Sequence, residues 1–306
     1  MRYDLTSLEL FVAVAEEANL TRAAERQHLA VSAVSKRITE LEELAGAPLL
    51  LRLPRGVSLT PAGQSLLHYA RQVLQLVQKM RSELSEYAGG VKGHIRIHAS
   101  TSVLTQFLPR ELETFLRLYP MIRFEIEERV GAAIVRAVAD GTTDLGILGS
   151  HTPAPGLSSL PYHTDRLVLA VPPGHPLAKR KAVRFADALA YPFVSHHAAS
   201  SLWTLMTQAA HDSGKSIKQR IQVSSFDCMC KLVEANLGIA MLPIGVLGHH
   251  VAAGGIRTVD LKDAWARRQH VIVVRDLATV PFTTRTLVDH LLAAAGTALP
   301  AAAAKR

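Results

Sequence analysis

Leu20-Thr21-Arg22-Ala23-Ala24-Glu25 and, beyond a break at His28-Leu29-Ala30, Ser32-Ala33-Val34-Ser35-Lys36-Arg37-Ile38 decide how the first part of this chain folds. Asn19 can cap a short helix that turns Ala23 and Ala24 inward. In the helix after the break, Val34, Ile38 and Leu41 point one way, while Ser32, Ser35, Lys36 and Thr39 point another. A small-residue helix, a tight break and a helix with a polar, basic early face form the helix-turn-helix layout. Its second helix lies in the DNA major groove and needs side chains that reach base edges and phosphates. An ordinary three-helix domain with solvated arginines would show the same periodicity.

The flanks extend the pattern. Upstream, Thr6-Ser7-Leu8-Glu9 reads as a capping box, with Leu8, Phe11, Val12 and Ala15 as the apolar face of a first helix. Downstream, Leu49 to Leu59 reads as two short extended pieces turned at Pro54 to Gly56, a wing with Arg52 and Arg55 near its tip. Thr60-Pro61 then opens a helix from 61 to 87, roughly 40 Å long at 1.5 Å per residue. Leu66, Ala70, Val73, Val77, Met80, Leu84 and Tyr87 alternate at spacings of four and three along it, a heptad seam that a second copy would cover. The alternative is a long helix packed on its own domain. Ala88-Gly89-Gly90 supplies a stop and a hinge.

At 306 residues the chain is too long for one core, so two or three domains are expected. It is 48% hydrophobic and 20% charged, which suits packed globular structure. No apolar run reaches the roughly 18 residues of a membrane span, and the opening Met1-Arg2-Tyr3-Asp4-Leu5-Thr6 is read as carrying no signal peptide. No membrane association and a cytoplasmic location are expected. The net charge is +8, yet residues 1–90 hold ten basic and ten acidic side chains, so the excess lies in 91–306. DNA binding by the first part would therefore depend on local placement, not bulk charge. Lys179-Arg180-Lys181 with Arg184 reads as a solvated loop.

Beyond residue 90, strand-like and helical stretches alternate. Gly93–Ala99, Phe124–Glu127 and Asp144–Leu148 read as strands around helices at 101–119 and 132–139; a second set begins near Arg166. This order predicts an α/β fold with a mainly parallel sheet. No glycine-rich phosphate loop appears, and no cofactor is expected. His98-Ala99-Ser100-Thr101-Ser102, Val194-Ser195 with Ser200-Ser201, and Ser224-Ser225-Phe226-Asp227 place hydroxyls at strand-to-helix junctions, where helix N–H groups favour an anion. Plain capping is the competing reading of each. Cys228 and Cys230 lie two apart on one helix and face differently, which favours packing over a disulfide or a metal. The pairs His196-His197 and His249-His250 read as exposed loop histidines. No nucleophile elbow or acid-base set is visible, so the chain reads as a non-enzyme; a solute-binding module and a cofactor-free α/β enzyme are the rival classes.

The first ninety residues resemble the LysR-type transcriptional regulators. The resemblance rests on Phe11-Val12-Ala13-Val14-Ala15, Leu20-Thr21-Arg22-Ala23-Ala24-Glu25, Ala33-Val34-Ser35-Lys36-Arg37-Ile38, Leu41-Glu42-Glu43-Leu44, Pro48-Leu49-Leu50 and Leu59-Thr60-Pro61-Ala62-Gly63, and extends more loosely to about residue 295. Where many members carry serine and then glutamine or proline, this chain has Ala30 and Val31. The resemblance implies an N-terminal all-α winged helix-turn-helix (1–60), a linker helix and hinge (61–90), and a periplasmic-binding-protein-like α/β effector region (91–306). That region would comprise a first subdomain at 91–162 and 268–295, a second at 163–267, and a tail at 296–306. Thr21, Ser32, Ala33, Ser35, Lys36, Arg37, Arg52 and Arg55 would meet double-stranded promoter DNA. Leu66, Ala70, Val73, Val77, Met80 and Leu84 would join a homodimer or homotetramer. Ser100, Thr101, Ser102 and Gly131 would form one wall of an effector cleft, and Ser195, Ser225 and Phe226 the other. The effector would be a small carboxylate or other anion, and an activator would also meet RNA polymerase.

Overall fold

The structure, a computed structural model, describes residues 3–54, 56–87 and 93–296, with the backbone alone at 78–79 and 81–87. Arg55, the 88–90 hinge and the tail beyond 296 lie outside the described residues. The chain divides near residue 92 into two compact units, described separately below.

In the first unit, α1 (Leu5–Glu17), α2 (Leu20–Arg26) and α3 (Val31–Ala45) enclose Leu10, Phe11, Val14, Ala23, Ala24, Val34, Ile38 and Leu41. The capping box expected at Thr6 is not used. Asp4 caps α1 instead, accepting from Ser7 N–H at 2.9 Å, because the helix begins one residue before Thr6. Asn19 caps α2 as expected, taking the N–H groups of Thr21 and Arg22. Ala30 leaves the start of α3 without a side-chain cap. The wing is an antiparallel pair, β1 (Leu50–Leu53) and β2 (Gly56–Leu59), with Leu50 opposite Leu59. Gly56 adopts φ +119°, and a Cβ there would sit 2.3 Å from the Ala18 carbonyl oxygen, so only glycine lets the hairpin lie this close to the end of α1. Thr60 caps α4 (Pro61–Tyr87) through Gly63 N–H and bonds back to the Pro48 carbonyl.

The second unit runs β3 (Gly93–Ala99), α5 (Thr101–Gln106), α6 (Leu108–Leu118), β4 (Ile122–Glu128), α7 (Gly131–Asp140), β5 (Leu145–Gly149), β6 (Ser158–Val171), β7 (Ala182–Val183), α8 (Phe185–Ala188), β8 (Pro192–His196), α9 (Ser201–Asp212), β9 (Lys218–Val223), α10 (Phe226–Glu234), β10 (Ala240–Pro243), α11 (Gly248–Ala252), β11 (Arg257–Leu261), β12 (Arg267–Val274) and α12 (Phe282–Ala294). The helix expected over 101–119 is two helices. Pro109 supplies no N–H for a continuous ladder, so the chain breaks at Phe107 and restarts. The sheet is mixed, not mainly parallel: β3 pairs β4 and β5 in parallel, while β12 runs antiparallel to β5 and β6, and β6 antiparallel to β10 and β11.

The mixture follows from β6 and β12 being crossover strands. The first part of β6, 158–166, pairs with β12, and the rest pairs with β10 and β11, so one strand serves two lobes. A large core of residues drawn only from 167–266 fills the second lobe, and Ile134, Val138, Leu148, Val271 and Val273 pack in the first. No helix among the described residues is long and apolar enough to cross a membrane.

Candidate functional site

The outer face of α3 carries the polar side chains foreseen there. Ser32, Ala33 and Lys36 are exposed and Ser35 is half-buried. Val31 is 41% exposed, an apolar side chain at the helix start. Lys36 Nζ lies 4.0 Å from Glu40 on the same helix, a solvated pair that leaves the ammonium available. Arg37 turns back into the domain, donating to Ser7 Oγ at 3.1 Å and lying 3.5 Å from Asp4. Thr21 is exposed at the start of α2, and Arg52 is exposed on β1. Arg22 and Arg26 instead tie α2 to α1, through the Glu17 carbonyl and the Glu16 carboxylate.

The seam residues of α4 divide between two faces. Leu66 packs on the core of its own unit and Ala70 is buried. Val77 is half-buried, and the side chain of Leu84 lies outside the described residues. The apolar side chains that face outward are Tyr69, Val73, Leu76 and Met80, at 61, 41, 67 and 50% exposure. Their spacing of four, three and four is itself a heptad stripe, rotated from the expected one and sharing only Val73 and Met80 with it.

In the second unit a cavity of about 100 Å³ opens between the lobes. Its first wall is Ser100, Thr101 and Ser102 at the start of α5, with Glu128, Arg129, Val130 and Gly131 leading into α7. Its second wall is His196 and His197 after β8, Ser200, Ser201 and Leu202 at the start of α9, and Phe226 opening α10. Four helix starts thus border one space, and the first-turn N–H groups of a helix have no partner within it. Thr101 donates to Glu128 Oε1 at 2.5 Å, and Arg129 Nε donates to Glu127 at 2.8 Å. A side chain at Gly131 would put its Cβ 2.6 Å from Thr152 Oγ1, so the position is closed to any hydroxyl residue. Ser100 Oγ and His196 Nδ1 are buried without hydrogen-bond partners.

Behind the first wall lies a buried polar network on the crossover strands. Asp165 of β6 faces Arg268 of β12 in register, and Arg268 donates to both carboxylate oxygens and to Ser102 Oγ at 3.2 Å. Gln106 donates to Asp165 at 3.0 Å, and His270 Nε2 lies 3.2 Å from the same carboxylate. Burial alone would raise the Asp165 carboxyl. The adjacent His270 and the hydrogen bonds and charge of the Arg268 guanidinium outweigh it and hold the group well below the usual carboxylate range.

Of the expected effector residues, Ser100, Thr101, Ser102, Gly131 and Phe226 border the cavity, whereas Ser195 and Ser225 do not. Ser195 is wholly buried and donates to the Ile221 carbonyl; Ser225 caps α10 through Cys228 N–H. Glu128, Arg129, His196, His197 and Leu202 were not foreseen, although the strand-to-helix rule that found Ser200-Ser201 points to the same junction. The exposed-loop reading of the histidine pairs is corrected for one member of each: His196 and His250 are 1 and 8% exposed, while His197 is half-buried and His249 is exposed, though on α11. His196 Nε2 sits 3.0 Å from the Ser224 carbonyl at the end of a strand, and His250 bridges Glu234 and Asp227 at 2.8 and 3.3 Å, tying α11 to α10. Burial pushes the Cys230 thiol up to about 12, which keeps it an unreactive packing group.

Comparison with known proteins covers nearly the whole chain. The family model of the bacterial regulatory helix-turn-helix protein, lysR family, matches residues 5–64, and that of the LysR substrate binding domain matches 88–296. An HTH-type transcriptional regulator of Mycobacterium tuberculosis is 32% identical over 94% of this chain and 96% of its own. The RuBisCO operon transcriptional regulator of Allochromatium vinosum is 28% identical over 90% of this chain and 91% of its own. Among solved structures, full-length BenM is 27% identical with a TM-score of 0.58, covering 98% of this chain and 100% of that one. A full-length OxyR variant of Pseudomonas aeruginosa, at 22% identity and TM-score 0.77 over 98% of this chain and all of its own, shares the fold.

Proposed function

Because the chain belongs to the LysR family of transcriptional regulators, we propose that it is a cytoplasmic, homo-oligomeric regulator whose effector is a small anion-bearing metabolite held between the lobes of residues 93–296. Ser32, Ala33, Ser35 and Lys36 on α3 enter the major groove, and Thr21 and the wing arginines Arg52 and Arg55 hold phosphates. Arg37 acts from behind, holding the start of α1 against α3. The stripe Tyr69, Val73, Leu76 and Met80 is the surface of α4 that a second copy covers, which presents two reading heads to two half-sites. If the protein is an activator, RNA polymerase is a further partner. The domain bounds proposed above follow the same reading, with the exchange between lobes falling in β6 and β12.

One observation carries the effector reading: the cavity is bordered by helix starts from both lobes, so a ligand there touches both at once. Such a ligand changes the balance between lobe arrangements only by binding one of them better. Residues Asp165 and Arg268 lie on the two strands that must bend, and Ser102 joins that pair to the cavity wall.

The DNA reading is tested by a gel shift on the protein's own upstream region at several salt concentrations. Lys36→Ala or Arg52→Ala should weaken binding and reduce the slope of log K against log salt by about one. Unchanged affinity and slope in both variants would remove α3 and the wing from the interface.

A further inference from the structure

The charge on the cavity wall argues against a plain acid as its occupant. Arg129 donates to Glu127 through both its Nε and a terminal nitrogen, so its charge is partly matched within its own wall. Glu128 has no cation of its own among the described contacts; the Thr101 hydroxyl bonds one of its oxygens and leaves the other. A carboxylate only accepts hydrogen bonds. Across the cavity, His196 is fixed in one tautomer by its surroundings. A carbonyl oxygen cannot donate, so Nε2, 3.0 Å from the Ser224 carbonyl, carries the hydrogen, and Nδ1 presents a lone pair. That nitrogen is buried and unpartnered in a ring that is 1% exposed. Glu128 and His196 both line the cavity, from opposite lobes. Ser100 Oγ, also buried and unpartnered, stands in the same wall.

An anion with no donor of its own would meet the helix starts favourably but would face the Glu128 carboxylate and leave His196 Nδ1 unsatisfied, and a buried polar group without a partner is costly. The remaining donors, the first-turn N–H groups of α7 and α9 together with His197 and Ser201, can hold a carboxylate. We propose that the cavity takes a small zwitterion, an α-amino acid, with its ammonium between Glu128 and His196 and its carboxylate on the helix starts opposite. The proposal rests on the effector reading above and narrows it. It also makes ligand binding a bridge: the ammonium is shared by one residue of each lobe, so closure is coupled to the presence of the amino group.

The test is isothermal titration calorimetry on the full-length protein with the twenty amino acids and, for each one that binds, its α-hydroxy and deamino acids. At least one amino acid should bind, and replacing its ammonium should cost about tenfold or more in affinity. Glu128→Gln keeps an acceptor for Thr101, so its thermal unfolding should match the parent. It should weaken the amino acid by a similar factor while leaving the deamino acid unchanged or tighter. Equal binding of amino and deamino acids, an amino-acid affinity indifferent to Glu128→Gln, or no binding by any amino acid would each overturn the zwitterion. If a plain acid binds instead and Ser100→Ala with Ser102→Ala weakens it, the cleft remains the effector site and only this refinement falls. If no cavity substitution moves the affinity of any ligand that binds, both fall.

Discussion

The ion pairs around α2 and α3 of the first unit and the buried polar networks of the second use charge in opposite ways. Around α2 and α3 of the first unit the ion pairs lie on the surface: Arg26 with Glu16 and Glu17, Arg22 with Glu17, Lys36 with Glu40; Arg71 with Glu16, on α4 and α1, is more covered. The second unit also has exposed pairs, such as Arg117 with Glu113 and Arg166 with Asp260, but two networks there are sealed inside: Asp165 and Arg268 have side chains 1 and 5% exposed, and Glu111 receives both the Tyr162 hydroxyl and His163. Exposed pairs add little to stability. Such pairs leave cations solvated and able to exchange a carboxylate for a phosphate, which is what a DNA-facing surface requires. Buried pairs are rigid and punish any loss of a partner, which suits strands whose relative bend has to be defined. The contrast can be broken by substitution, starting where the stakes are highest.

Asp165→Asn preserves shape but leaves the Arg268 guanidinium buried with only neutral acceptors. The cost should be about 3–5 kcal/mol of second-unit stability. Trp203 and Trp265, the chain's two tryptophans, both lie in the second lobe, so urea unfolding followed by their fluorescence reports on this unit. The carboxyl of Asp165 is held below its unfolded value, so its contribution is complete above about pH 4 and is lost as pH falls through the folded value. The variant should lack that acid-side decline. A loss below 1 kcal/mol would mean that the crossover does not depend on this pair.

A smaller effect distinguishes the second wall of the cavity. Burial, and then the neighbouring His197, lower the His196 value below that of a free histidine, against the weaker upward pull of its Ser224 hydrogen bond and Glu128. A histidine lowered on folding favours the unfolded chain once protons are taken up. Its stabilising share is therefore full above about pH 6.5 and declines below it, with a slope of at most about 1.4 kcal/mol per pH unit. His196→Phe keeps a ring against Phe226 and should flatten the stability curve between about pH 6.5 and 5. A curve of the parent's slope would place the acid sensitivity on another group, His98, His151 or His175 being the ones burial also lowers.

What could be read from the chain in advance follows the same division. Asn19 and Thr60 were legible as caps because a cap concerns residues two or three apart. Asp4 is not legible as the cap because Thr6 and Glu9 offer an equally good local pattern two residues later, and nothing local decides between them. The seam on α4 was legible as a period but not as a phase: Val73 and Met80 fit both stripes, and only the packing of Leu66 on the first unit's core selects Tyr69 and Leu76 as the outward partners. At the cavity, Ser195 and His196 are neighbours on one strand and face opposite sides, so a one-residue choice exchanged the buried serine for the lining histidine. The Asp165–Arg268 pair joins residues 103 apart, and no spacing rule reaches that far. The antiparallel pairing of β12 is illegible for the same reason.

The smallest expected effect is the one that most directly checks the contrast. Arg26 spans Glu16 at 3.0 Å and Glu17 at 3.4 Å with half its side chain in solvent. Its geometry resembles that of a structural clamp between α1 and α2, and its 3.0 Å contact is the shortest among the described ion pairs of the first unit. If exposure governs its worth, Arg26→Ala should cost about 0.2–1 kcal/mol, and that cost should shrink further as salt rises from 0.1 to about 1 M. Hydrogen exchange of the α2 amides on the full-length protein measures this locally, without contribution from the second unit. A salt-insensitive cost near that of Asp165→Asn would show the first unit to be braced by its ions as the second is, and the solvated cations of α3 would then need a different explanation from exchange with phosphate.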